Sequence, residues 1–338
     1  MHRKIILLTA ILCLFCFIGA GTASAATVQT NHTVVTKLNT TSATTVNQNS
    51  PTVSGSRIVW VQKDSHNNSA IYEKNIASGF VGKVYSSNYD QYAPSISGTR
   101  IVWEQLSSKG ISNIYMKNVL SGLVSIVHAS TQNQYDPKIS GTRIVWSQYD
   151  GTKGAIYEKN IASGYVGKLK VSSADQYNPS IDGTRVVWVE STKTANTIVE
   201  KNILTGTFSQ LVLTKYGLYY PSISGTKVVW QQDSDANFLI YIKDLNNATI
   251  SKVYPSNDEQ WTPSISGNKV VWQQGGLDGI VYMKNIDTGV TSKVYSSNQV
   301  QFNPIISGNT IVWSQENTAG SFYIYRKDLV TGKVSKVA

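Results

Sequence analysis

Thirteen residues, QYAPSISGTRIVW at 91–103, return almost unchanged as QYDPKISGTRIVW ending at Trp146 and as QYNPSIDGTRVVW ending at Trp188. The Trp of this unit stands at Trp60, Trp103, Trp146, Trp188, Trp230, Trp272 and Trp313, a recurrence every 41 to 43 residues. A Pro nine positions earlier keeps step, at Pro51, Pro94, Pro137, Pro179, Pro221, Pro263 and Pro304. A fixed period near 42 restricts the chain to a few repeat architectures, in which each unit hides its apolar surface against its neighbours.

Each copy holds four short apolar or alternating runs. In the second these are PSIS, TRIVWEQ, NIYMKNV and LVSIVHA, parted by Ser97-Gly98, a polar loop and Leu120-Ser121-Gly122. Runs of this length between Gly-bearing turns read as an antiparallel meander. Neighbours along a strand point to opposite faces, so IVW makes both faces of such a sheet apolar. Packing sheet on sheet around an axis covers both faces and leaves only short outer edges. The expected fold is all-β, a seven-bladed β-propeller of four-stranded antiparallel blades over residues 48–338. Lys83, Lys168, Lys252, Lys293 and Lys336 fall on the expected outermost strands, where they guard exposed edges. The tail GKVSKVA is expected to complete blade seven as its outer strand, with the alternating stretch TVVTKL at 33–38 alongside it.

The start of the chain has a basic tip, an apolar run from Ile5 to Ile18, and Ala23-Ser24-Ala25 as a cleavage site. That pattern predicts a signal peptide over 1–25 and a secreted or cell-surface protein. Residues 26–47 form a Thr/Asn-rich stretch. Cys13 and Cys16 are the two cysteines and both lie in the leader, so neither disulfides nor thiolate-held metals are expected in the mature chain. The formal charge of +10 comes largely from repeat positions. Arg57, Arg100, Arg143, Arg185, Lys227 and Lys269 fill one, and Lys74, Lys117, Lys159, Lys201, Lys243, Lys284 and Lys327 another. A charge spread in this way lacks the basic face interleaved with aromatics that nucleic acid requires. It suits instead a lower face held against an anionic wall polymer.

The unit P-x-I-S-G-x-(R/K)-(I/V)-V-W followed by I-Y-x-K-(N/D) and (T/S)-G resembles the TolB-type propeller repeat. It is more similar still to the propeller repeats of methanogen cell-surface and surface-layer proteins, and the resemblance covers residues 48–338. It implies an interaction platform of the cell envelope whose partner is another envelope protein or a cell-wall glycan.

In a propeller the connections between blades and the loops between second and third strands open on one end. Six aromatics stand there two positions before the repeat Pro: Tyr92, Tyr135, Tyr177, Tyr219, Trp261 and Phe302, with Asn49 in the first copy. Just ahead of them stand Gln91, Gln134, Gln176, Gln260 and Gln301, with Gln48 in the first copy and Leu218 breaking the series. Such a ring either packs blade on blade or stacks on sugars and bonds their hydroxyls. Trp261 carries the stronger binding expectation, because it alone of the tryptophans lies outside the repeated IVW position.

Catalytic signals are sparse. His32, His66 and His128 are scattered, and no Gly-x-Ser-x-Gly motif is present. The expectation is a non-enzymatic binding or structural module without metal or cofactor. The alternative is a carbohydrate-active, polysaccharide lyase-like enzyme using His66. Asp233, Asp235 and Asn237 resemble the opening of a Ca²⁺ loop, but Phe238 stands where the turn needs Gly. Asn31, Asn39, Asn67 and Asn247 head N-x-(S/T) triplets and are glycosylation candidates.

Overall fold

The computed structural model describes residues 47–235, 237–247, 249–276 and 278–338. The expected leader, the 33–38 stretch, Asn31 and Asn39 lie outside the described residues.

Ile101, Val102 and Trp103 show why the repeat folds as it does. In the second strand of blade 2 (Arg100–Leu106), alternate side chains serve different neighbours. Ile101 and Trp103 pack on Val59, Val61, Ile71 and Val84 of blade 1. Val102 joins Ile139, Ile144 and Trp146 of blade 3. One tripeptide thus fills both seams of its blade, and all seven repeat tryptophans are fully buried. Truncating such a side chain to Ala costs about 3–5 kcal/mol.

Seven sheets of four antiparallel strands result, each built from one contiguous segment in chain order. The blades span Gln48–Lys83, Gln91–Ile126, Gln134–Lys168, Asp175–Thr214, Leu218–Lys252, Gln260–Lys293 and Gln301–Lys336. Blade 1 packs against both blade 2 and blade 7, which closes the ring. The protein is a seven-bladed, all-β propeller. The tail supplies the outer strand of blade 7, Val334–Lys336.

Polar ties repeat at every level of the seam. Near its start, every innermost strand but that of blade 5 carries a Gln whose Oε1 accepts a backbone N–H of the preceding blade. Gln134 Oε1 accepts the Ile114 N–H of the preceding blade at 3.0 Å, while its Nε2 donates to the His128 carbonyl at 3.0 Å. Those two backbone groups belong to the third strand and to the connection after the fourth, so the side chain fills the gap where the strands diverge. Gln260 and Gln301 repeat both bonds. Blade 5 has Leu218 instead, and the preceding blade compensates with backbone: its outer strand runs from Phe208 to Thr214, pairing Ile198 with Val212.

Farther out, the lysines of the third strands reach back to the preceding blade. Lys117 Nζ donates to the Val84 carbonyl at 2.6 Å and Lys159 to that of Val127 at 2.6 Å. The remaining five lysines of this series do the same. At the other end of the barrel the inner turns are tied: Gly98, at φ +58°, donates its N–H to Ser54 Oγ at 3.0 Å. A side chain at that φ would be strained, which explains the Gly of the turn. Arg57, Arg143 and Arg185 pair inside their own blades with Glu73, Glu158 and Glu200. Much of the repeated positive charge is therefore engaged by the scaffold, and the expected lower-face hold on an anionic polymer loses those groups.

The closing seam uses the same parts as the other six. Gln48 Oε1 accepts the Ile324 N–H at 2.9 Å, Lys74 reaches the Val337 carbonyl, and Trp60 packs on Val312, Ile324 and Val337. Replacing Gln by Leu strands a buried N–H, at a cost of about 1–3 kcal/mol. Gln260→Leu and Gln48→Leu should each lower unfolding free energy by that amount in denaturant titrations. A closing seam much weaker than the rest would instead make Gln48→Leu nearly silent.

Candidate functional site

The upper end of the central channel is built by the innermost strands. In every blade the residue before the repeat Pro takes a left-handed conformation: Ser50, Ala93, Asp136, Asn178, Tyr220, Thr262 and Asn303, with φ between 46° and 51°. The strand register shifts at this point, as between Tyr92 and Ser95. A non-Gly residue held at such φ costs about 1–3 kcal/mol and persists only where its surroundings enforce it. Here the enforcement is a β-bulge repeated around the mouth.

The expected Gln ring is present but buried. Gln91, Gln134, Gln176, Gln260 and Gln301 are at most 1% exposed, and their amides serve the seams. The six aromatics stand one residue on and are half-buried. Burial raises the hydroxyl pKa of Tyr92, Tyr177 and Tyr219, that of Tyr177 to about 12. Trp261 packs on Phe238 at 4.9 Å between ring centres, and Phe238 meets Tyr219 at 6.0 Å. Tyr219 in turn contacts Tyr220 at 6.4 Å. Blades 5 and 6 therefore gather four aromatic rings in one sector of the mouth.

About three blades round the ring the mouth is acidic. Glu104 follows the repeat Trp of blade 2, and its side chain crosses the seam to accept the Asp136 N–H at 2.7 Å. Asn178 Nδ2 donates to Asp136 Oδ2 at 3.2 Å. Desolvation first, and the Asp136 carboxylate second, push the Glu104 carboxyl up to about 8. The half-buried Glu104 carboxyl thus resists ionisation beside the Asp136 carboxylate. Sequence reasoning missed this pair, although the signal exists. The residue after the repeat Trp is Val61, Glu104, Ser147, Val189, Gln231, Gln273 or Ser314, and Glu104 alone is acidic.

Several buried polar atoms in this layer have no hydrogen-bond partner among the described residues: Asn49 Oδ1, Ser147 Oγ, Trp261 Nε1, Thr262 Oγ1 and Ser314 Oγ. Buried polar groups are nearly always hydrogen-bonded, and two of these atoms stand on adjacent residues of blade 6, Trp261 and Thr262.

Other sequence candidates lie elsewhere. His66 sits in an exposed loop beside Ser65, and His128 packs on the rings of Trp146 and Tyr157. Asp235 accepts the Tyr216 hydroxyl at 2.8 Å and Asn237 donates to the Asn257 carbonyl at 2.7 Å, which ties neighbouring loops together. Asn67 and Asn247 are exposed.

No protein-family model matches the sequence, and no curated protein matches it. Solved structures do match. A puromycin-hydrolyzing peptidase of Mycobacterium tuberculosis is 12% identical with a TM-score of 0.69, over 87% of this chain and 52% of that one. The β-propeller domain of the Trilobed protease from Pyrococcus furiosus, described as having an open velcro topology, is 11% identical with a TM-score of 0.71, over 88% of this chain and 97% of that one. Pyrococcus horikoshii acylaminoacyl peptidase is 11% identical with a TM-score of 0.67, over 87% and 52%. This chain thus spans about half the length of the two whole peptidases. Such identities establish the fold: a seven-bladed propeller similar to those of peptidases. They also correct the expectation of a chain apart from enzymes, because enzymes carry this ring, and the sparse catalytic signals within it do not set the chain apart from them.

The acidic pair gives a pH test. A carboxyl that keeps its proton to about 8 when folded, against an ordinary value of 4.5, favours the folded state at low pH and loses that advantage as pH rises between those values. Glu104→Gln mimics the protonated form, and Gln231 already fills the equivalent role by accepting the Thr262 N–H at 3.1 Å. Between pH 5 and pH 9 the wild type should lose stability relative to Glu104→Gln, on the order of 1 kcal/mol or more. Parallel melting curves for the two proteins would leave the carboxyl unperturbed.

Proposed function

We propose that the chain is a glycan-binding propeller of the cell envelope, with the upper channel mouth as its site. The observation that carries this reading is the uneven furnishing of that mouth. Tyr219, Tyr220, Phe238 and Trp261 form an aromatic sector, with the orphaned Trp261 Nε1 and Thr262 Oγ1 in it. Glu104, Asp136 and Asn178 form a polar sector on blades 2 to 4. Aromatic faces take the C–H faces of sugar rings, and neighbouring donors and acceptors fix the hydroxyls. The basic and apolar leader with its Ala-Ser-Ala end supports export, and the resemblance of the repeat to methanogen surface proteins supports an envelope setting.

A peptide segment is the second reading, favoured by the peptidase propellers that share the fold. A glycan array and a peptide library probed with the same protein separate the two. Glycan binding by the wild type should weaken about tenfold or more in Trp261→Ala, the loss of one well-placed ring. The same variant should keep its fold, because the seam tryptophans are untouched. Peptide binding alone would replace the glycan reading, and glycan binding indifferent to Trp261 would move the site away from this mouth.

A further inference from the structure

The residue after the repeat Pro stands on the innermost strand between the mouth and the inner turn. It is Ser in four blades and Thr in one, and the exceptions are Ile305 in blade 7 and Lys138 in blade 3. The serines have a common role. Hydrogen-bonded and non-bonded partners alternate along an antiparallel pair, and the pair next to the tight inner turn is bonded, so the Ile one step back is not. Ile139 opposite Ile144 and Ile181 opposite Val186 are such residues. Their N–H groups therefore turn away from the second strand, toward the free inner edge of the blade. The Ser of the preceding blade covers that edge: Ser95 Oγ accepts the Ile139 N–H at 3.3 Å, Ser222 Oγ that of Ile265 at 3.3 Å, and Ser264 Oγ that of Ile306 at 3.2 Å.

Lys138 cannot take that role. An ammonium only donates, so the Ile181 N–H of blade 4 goes without the cap that Ser95 gives Ile139. The four-carbon stem also outruns the gap that a Ser fills, and it leads the charge of this half-buried residue toward the channel. The ion pairs among the described residues all use other cations. Asp136, two residues back, is engaged by Asn178 Nδ2. The Glu104 carboxyl feels the ammonium, but burial and the Asp136 carboxylate raise it by more than Lys138 lowers it, so Glu104 does not cancel the charge. The seam that Lys138 faces also lacks a side-chain oxygen of its own. Between blades 2 and 3 Glu104 crosses to the Asp136 N–H at 2.7 Å, and between blades 5 and 6 Gln231 crosses to the Thr262 N–H at 3.1 Å. Between blades 3 and 4 the equivalent residue is Ser147, which is 7% exposed and whose Oγ has no hydrogen-bond partner among the described residues. Asn178 and Ile181, both on the innermost strand of blade 4, thus lack the side-chain acceptors of their counterparts on the one seam that holds Lys138.

The geometry points to an oxyanion subsite on the inner edge of the seam between blades 3 and 4, where Lys138 Nζ and the Ile181 N–H hold a carboxylate or phosphate of the ligand. The inference rests on the reading of the channel mouth as a binding site and gives its ligand a sign: the bound sugar is an acidic one. Blade 2 shows the interaction within the chain, since the Glu104 carboxyl oxygen sits on an N–H of the next innermost strand. One seam further on, that oxygen is absent, a cation has been added, and the acceptor comes from outside. A cation and a backbone N–H directed at one oxyanion form charge-assisted hydrogen bonds, about twice as strong as neutral ones.

Backbone amide chemical shifts of the protein titrated with glucuronate, glucose 6-phosphate and glucose test the subsite. At least one of the two anions should move the Ile181 amide and bind about tenfold or more tighter than glucose, and the tighter of them identifies the source of the oxyanion. Lys138→Ser installs the residue that four blades already hold at this position, so the fold is kept, and an unchanged melting temperature verifies that. It should erase the preference for the anions, whereas Lys138→Arg should retain it. Trp261→Ala should weaken all three sugars alike, because it removes the ring and leaves the charge. Anions that leave Ile181 unmoved overturn the inference, and so does a preference for anions that survives Lys138→Ser; sugar binding that still depends on Trp261 then leaves the wider reading of the mouth in place. The converse result, Ile181 shifts that need Lys138 with binding indifferent to Trp261, upholds the subsite and removes the aromatic sector from the site.

Discussion

Everything in this molecule depends on the seam between blades. A single blade has apolar residues on both faces and cannot be stable alone, since its Trp needs the preceding sheet and its Val the following one. Apolar packing provides most of the attraction between blades but is tolerant of sliding. The Gln carboxamide and the Lys ammonium fix the register, because each must meet a particular backbone group of the neighbour. The closing seam repeats these contacts, with Gln48 on Ile324 and Lys74 on Val337. The ring is therefore built from one interface, varied at the seam of blades 4 and 5 where Leu218 replaces the Gln. Among the described residues no sheet joins strands from the two ends of the chain, and side chains supply the polar closure.

The fold is legible in the sequence because the period exposes it. The positions of seven tryptophans and seven prolines, with Gly-bearing turns between short apolar runs, leave little room for another architecture. What the repeated polar residues do is less legible. A Gln ahead of an aromatic at a channel mouth reads as a ligand-binding pair, since nothing in the sequence shows that the third and fourth strands of the preceding blade diverge there. One clue is present: where the Gln gives way to Leu218, the segment just before it holds the longer apolar run FSQLVLT. The lysines of the third strands are a similar case. Their charge reads as surface, whereas the long apolar stem carries the ammonium to a carbonyl one blade away.

The candidate site becomes visible only when neighbouring copies are compared with an offset. Glu104 belongs to copy two and Asp136 to copy three, at different positions of the repeat, and each is the one acidic residue at its position. The residue after the Trp leans toward the next blade, where it meets the bulge before the next Pro. Trp261 is easier to single out from sequence, but the rings around it are contributed by a first strand, a bulge and a loop end of the preceding blade. Their assembly depends on the handedness and closure of the ring, which no local pattern encodes.

A repeated residue in such a protein is accounted for by the seam, so function is better sought where a copy departs from the rule without weakening it. Leu218 is the instructive departure. It removes a polar clip from the interior, and the chain answers by extending the outer strand of blade 4, which restores the lost backbone partner. The same extension produces the one long edge among the described outer strands, with Gln210 where most blades have Lys. A change made at the channel is thereby transmitted across the width of a blade to the rim. The Leu of the interior and the longer strand at the rim occur together, and that strand passes through a bulge at the buried Leu211. Leu218 of blade 5 and the outer strand of blade 4 thus explain each other across their shared seam, by hydrogen-bond completion.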